Sequence, residues 1–290
     1  MRLDGRRESS HVDDRRGSGG AMKAGGLGLG GIIVVGAIAM LLGVNPFQAV
    51  QTANEIVGGG QTIQTTGDYT PSAQEEEFAK FAKVILAGTE DVWTEIFKQN
   101  GLTYTPPSMV LYTGATTSGC GAAQSSCGPF YCSADQCVYL DLSFFEQMQQ
   151  EMGIGGDFAY AYVIAHEVGH HVQYLLGTLQ KANTQRARAS EKEANQISVR
   201  LELQADFYAG IWAYYDNHNY GSLEEGDIEE GINAASKIGD DYLQKQARGY
   251  SVPDSFTHGT SAQRMKWLKK GIASGNPSQG DTFSIPYNQL

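Results

Sequence analysis

Residues 166–170 read His-Glu-Val-Gly-His, and no other segment constrains the fold as much. On a helix, residues four apart stand one turn apart on one face, so His166 and His170 can offer imidazole nitrogens to a single ion. Glu167 then sits beside them, placed to hold a water on that ion. Ala161-Tyr162-Val163-Ile164-Ala165 leads into the motif as an apolar run, which predicts a buried helix over about residues 157–176. Gly169, lacking a Cβ, leaves room for a neighbouring element to come close. Such a helix must be covered by further elements that also supply partners for its polar groups.

A catalytic zinc takes three protein ligands and keeps one position open for water. The metzincin pattern requires Gly at position 173 and His at 176; this chain has Gln173 and Leu176, so that class is excluded. His171 points about 100° away from His170 around the helix, which suits a supporting or surface group. The next helical segment offers Glu202 and Asp206, one turn apart. Their neighbours Val199, Leu201, Leu203, Ala205, Phe207 and Ala209 are too apolar for a solvated face, and buried carboxylates need partners. Glu202 is therefore expected to complete a His2Glu set for one zinc ion, with Asp206 accepting a hydrogen bond from a ligand imidazole. Glu193 and Asp206 itself remain open as alternative ligands.

The fold class expected around this centre is α+β, mainly helical, with a small sheet. Ser72 and Glu75 have capping-box spacing, and Phe78, Phe81, Ala82, Ile85, Val92, Trp93, Ile96 and Phe97 repeat at helical intervals, predicting a helix to about residue 99. Residues 109–113 and 137–142 read as short strands flanking a loop; the second alternates Val138, Leu140 and Leu142 with Tyr139 and Asp141. Further helices are expected over residues 190–215 and 228–246. All four cysteines, Cys120, Cys127, Cys132 and Cys137, fall within 18 residues. They lack a C-x2-C pair and a nearby histidine, so two disulfides of open pairing are expected rather than a metal site.

Ahead of this body, residues 24–44 are 21 uncharged positions, enough at about 1.5 Å per residue to cross roughly 30 Å of hydrocarbon. They read as one transmembrane helix. A cleaved secretory signal competes with that reading, but the polar head is long and the exit Asn45-Pro46-Phe47-Gln48 lacks a small-x-small site. Residues 1–23, charged and without apolar period, are expected to form a disordered cytoplasmic tail, and 45–71 a flexible tether, so that the catalytic domain covers 72–290. Basic residues precede the span and the next after Lys23 is Lys80, which predicts a cytoplasmic N-terminus, a single pass through the inner membrane and an extracytoplasmic body. The chain carries a net charge of −11, and residues 47–290 hold 15 basic against 28 acidic side chains, a balance that disfavours nucleic acid as a partner.

Four runs carry a more specific likeness: HEVGHH, SVRLELQADFYAG over residues 198–210, GPFYC over 128–132 and FTHGTSAQR over 256–264. Together they resemble the bacterial neutral zinc metallopeptidase family, a zincin type with Glu as third ligand, over nearly the whole chain. The resemblance implies a single-pass membrane protein with a zincin-like peptidase domain acting on a peptide or protein substrate. It also implies that His258 stabilises the developing oxyanion and that Arg264 ties to a carboxylate such as Asp206. Phe207 and Gly280 stand where many members are expected to carry cysteines, so their joint loss fits one missing disulfide. The implied chemistry is amide hydrolysis with Glu167 as general base, the strand over 138–142 offering an edge to the extended substrate. A metal-containing scaffold and a cell-wall peptide amidase are the rival readings.

Overall fold

The computed structural model describes residues 1–17 and 69–290. The expected membrane span at 24–44 and most of the expected tether lie outside the described residues. Among the described residues, no helix is long and apolar enough to cross a membrane.

Helix α1 (Ala73–Gln99) opens on the Ser72/Glu75 capping box, both reciprocal hydrogen bonds being present. Helices α2 (Ser143–Met152), α3 (Asp157–Leu175), α4 (Thr178–Arg186) and α5 (Glu191–Tyr220) follow the strands. The last three are α6 (Asp227–Lys237), α7 (Asp240–Arg248) and α8 (Ser261–Ser274). Helix α3 lies at the centre: nearly every side chain from Phe158 to Gln173 is buried, against α1, α5 and α6. An aromatic group, Phe78, Phe145 and Tyr160, fills the corner between α1, α2 and α3, with Phe145 stacked on Tyr160 at 4.7 Å.

A four-stranded sheet borders this helical body. It is built from β1 (Val12–Asp14), β2 (Ser108–Tyr112), β5 (Phe130–Cys132) and β6 (Cys137–Asp141), in the order β1-β2-β6-β5. Strands β1, β2 and β6 run parallel, and β5 returns antiparallel to β6 with Cys132 opposite Cys137. Strands β3 (Ala115–Ser118) and β4 (Gly121–Gln124) form a separate hairpin. Asp141 ends β6 and organises the turn beyond it, accepting from the Gly114 and Ser143 backbone N–H groups at 2.8 and 3.0 Å and from the Ser125 hydroxyl.

Four expectations need correction. Residues 1–17 are ordered rather than a loose tail: the segment adds β1 to the sheet and pairs Arg6 with the buried Asp216, so it is fixed by charge and backbone pairing, which leave no apolar period. The expected helix over 228–246 breaks at Ile238-Gly239, where Gly239 is extended (φ −74°, ψ 144°) and packs so close to the Ser261 backbone that a Cβ would overlap it. The two expected disulfides reduce to one. Cys132 bonds Cys120, which leaves its hairpin partner Cys137 a buried thiol and Cys127 a half-buried one. Strand β6, expected as an open edge, is interior, and the edge belongs to β5.

Candidate active site

Helices α3 and α5 meet at Gly169. A Cβ there would stand 3.0 Å from the carbonyl oxygen of Ala205, closer than real contacts allow with ease, so glycine sets the approach of the two helices. That approach brings His166 and His170 of α3 against Glu202 of α5. His166 Nε2 lies 3.1 Å and His170 Nε2 3.5 Å from the two oxygens of the Glu202 carboxylate. The three ligand-type atoms lie within 4.8 Å of one another.

Each imidazole is oriented from behind. His166 Nδ1 donates to Asp206 at 2.8 Å, and His170 Nδ1 donates to the amide oxygen of Gln173 at 2.9 Å. Both Nε2 atoms are thereby left to face Glu202, the tautomer a metal-binding histidine needs. Asp206 is fully buried; it also accepts from Tyr162 at 2.6 Å and, through both oxygens, from Arg264 at 2.9 Å each. Burial alone would raise the Asp206 carboxyl, but Arg264 and His166 outweigh it and hold its pKa down to about 2. Gln173 is fixed in turn by its own amide, which donates to the Leu201 carbonyl at 2.7 Å and to Gln204 at 3.1 Å.

Glu167 is buried beside the pair, and burial pushes its pKa up, the two neighbouring imidazoles pulling the other way. Glu202 is the opposite case: despite burial, His170 and His166 hold it well below the usual carboxylate range. His258 lies on the loop between α7 and α8, with Nδ1 3.2 Å from Asp240. The second Asp240 oxygen accepts the backbone N–H groups of Thr257, His258 and Gly259 at 2.8, 2.6 and 3.0 Å, so this carboxylate shapes the whole loop. The helix break at Gly239 is what puts Asp240 beneath it.

The expected residues His166, Glu167, His170, Glu202, Asp206 and Arg264 are thus in one place, with His258 adjoining. Glu193 is elsewhere, closing the capping box at the start of α5. His171 turns away and is buried, donating from Nε2 to the Thr105 carbonyl at 2.7 Å and accepting the Tyr131 hydroxyl at 2.9 Å. Sequence reasoning missed Gln173, Tyr162 and Asp240. The first two had a readable signal, standing one helical turn from His170 and His166; Asp240 had none.

The expected cysteine positions are also explained. Phe207 and Gly280 lie against each other, and a Cβ at Gly280 would meet the Phe207 ring within 2.6 Å, so the ring occupies the space a second side chain would need.

A family model described as "Putative neutral zinc metallopeptidase" matches residues 1–283. The uncharacterized protein YpfJ of Escherichia coli (strain K12) is 49% identical over 291 residues, covering 98% of this chain and 99% of the relative. The uncharacterized protein Rv2575 of Mycobacterium tuberculosis (strain H37Rv) is 41% identical over 263 residues, 85% of each chain. No solved structure matches the chain.

Proposed function

Because the chain belongs to the family described as "Putative neutral zinc metallopeptidase", we propose that it cleaves peptide bonds in a peptide or protein substrate at the His166, His170 and Glu202 centre. The supporting observation is the convergence of both Nε2 atoms on one carboxylate while both Nδ1 atoms are occupied. His166, His170 and Glu202 would hold one zinc ion, which when bound supplies Lewis acidity to a water and to the scissile carbonyl.

The rest of the chemistry belongs to the chain's own groups. Glu167, raised by burial, takes the proton of the attacking water and later delivers it to the leaving amine. His258 is held at Nδ1 by Asp240, so that Nε2 donates to the oxygen that gains charge. Burial opposes its charged form, but Asp240 and Glu202 raise its pKa above the ordinary value, favouring the donor state. Strand β5 is the sheet edge beside α3, and its Tyr131 hydroxyl donates to His171. An extended substrate pairs with this edge, its backbone supplying the affinity. Attachment to a membrane at residues 24–44 belongs to the same reading, as an anchor that returns the chain to the face it entered from.

The deciding experiment compares wild type with Glu167→Gln for zinc content and for cleavage of an unbiased peptide library. Equal zinc, one ion each, with a loss of about 10²–10⁴-fold in cleavage is expected. Zinc in both and cleavage by neither would favour the scaffold; zinc in neither would remove the centre altogether.

A further inference from the structure

The body carries buried acids whose charged partners come from residues 1–17. Asp216 on α5 is fully buried, and Arg6 grips both its oxygens, at 2.8 and 2.5 Å. The Arg6 guanidinium lies 4.2 Å from the centre of the Tyr220 ring and fills a notch at Gly88, where a Cβ would stand 2.7 Å from Nη2. Glu90 on α1, also buried, accepts from the Ser9 hydroxyl, pairs with Arg7 at 2.8 Å and meets His11 Nδ1 at 2.8 Å. Without these partners, the body would hold two buried carboxylates with no cation, a costly arrangement.

Backbone pairing repeats the message. Val12, Asp13 and Asp14 stand opposite Met109, Val110 and Leu111 in parallel register, and backbone bonds of 2.8 Å flank the strand, from Met109 N–H to the His11 carbonyl and from Arg15 N–H to the Leu111 carbonyl. The Ser9 N–H donates to the Lys83 carbonyl at 3.0 Å, and the Arg2 N–H to the Ser222 carbonyl at 2.8 Å. The segment touches α1, β2, α5 and the turn before α6. The family match begins at residue 1, so this segment is part of the shared unit.

We infer that residues 1–17 are an integral part of the catalytic body and lie on the same side of any membrane as the active site. The expected arrangement, a cytoplasmic N-terminus with an extracytoplasmic body, would put Arg6 and Asp216 on opposite faces of a bilayer. The chain between residues 17 and 69 therefore starts and finishes on one face. This conclusion does not depend on what the zinc-type centre hydrolyses.

The test uses the full-length chain in cells, with a cysteine added at exposed Ser10 (Ser10→Cys) or at exposed Gln246 on α7 (Gln246→Cys). A membrane-impermeant maleimide is applied to intact and to permeabilised cells, and labelling is scored above the native-thiol background. The two positions are expected to react in the same preparation, whichever it is. Reaction of one in intact cells and of the other only after permeabilisation overturns the inference. Arg6→Ala in the purified full-length protein gives an independent reading: its thermal midpoint is expected to fall by several degrees, and an unchanged midpoint also overturns it.

Discussion

At the scale of single residues, the centre depends on two hydrogen-bond acceptors that stand behind its imidazoles. Asp206→Asn strips the charge from the acceptor of one imidazole Nδ1–H and Gln173→Leu removes the acceptor of the other, so zinc affinity is expected to fall about 10–100-fold in chelator competition. Proton traffic follows from the same contacts. In the metal-free protein burial works against a charged His166, but Asp206 and Glu202 outweigh it and hold the pKa up to about 10. Below that pH the imidazolium must lose its Nε2 proton before it can ligate, so zinc uptake releases a proton and apparent affinity climbs as pH rises toward 10. Calorimetric titrations in buffers of different ionisation heat measure this; uptake without proton release counts against it. Asp240→Asn is expected to lower kcat with zinc content intact, because it loosens the His258 loop and leaves the three ligands alone. Two histidines and a glutamate at fixed spacing were legible in the sequence because their chemistry repeats with the helix. Asp240 was not, since its role arises where two distant turns meet.

The elements that carry these residues were legible to different degrees, for reasons that are physical. Helices α1 and α5 announce themselves through Ser-x-x-Glu boxes, and α3 through its unbroken apolar run. Strand β1 has three residues, two of them aspartates, and is held by a neighbour about a hundred positions away, so nothing local marks it. The break between α6 and α7 was hidden because helical periodicity continues through Gly239, whose close packing on the Ser261 backbone is a tertiary contact that no local pattern marks. Two predictions belong to this scale. Gly169→Ala forces α3 and α5 apart at the one point where they must be close. A stability loss of about 1–3 kcal/mol in denaturant titration, with weaker zinc binding, is expected. For β5, peptides N-methylated at successive amides are expected to show loss of cleavage at alternate positions, the signature of strand pairing. Uniform tolerance would disconnect the edge strand from the substrate.

Across the whole molecule, the C-terminal segment is fastened at Phe207 and Gly280 by ring packing where relatives of the expected type would use a covalent bond. The double variant Phe207→Cys with Gly280→Cys is expected to form a disulfide, its oxidised form being more stable than its reduced form by about 2–4 kcal/mol in thermal unfolding. The N-terminal segment has a consequence in time. Arg6 waits for Asp216, which is 210 residues later, and β1 pairs in parallel with a strand that is not adjacent in the chain. Contacts of such long separation cost loop-closure entropy before they return anything, and they form late. Residues 1–17 are thus made long before α5 yet are among the last to find all their places: Arg7 can meet Glu90 once α1 has emerged, but until α5 has followed it Arg6 has no buried acid to pair with.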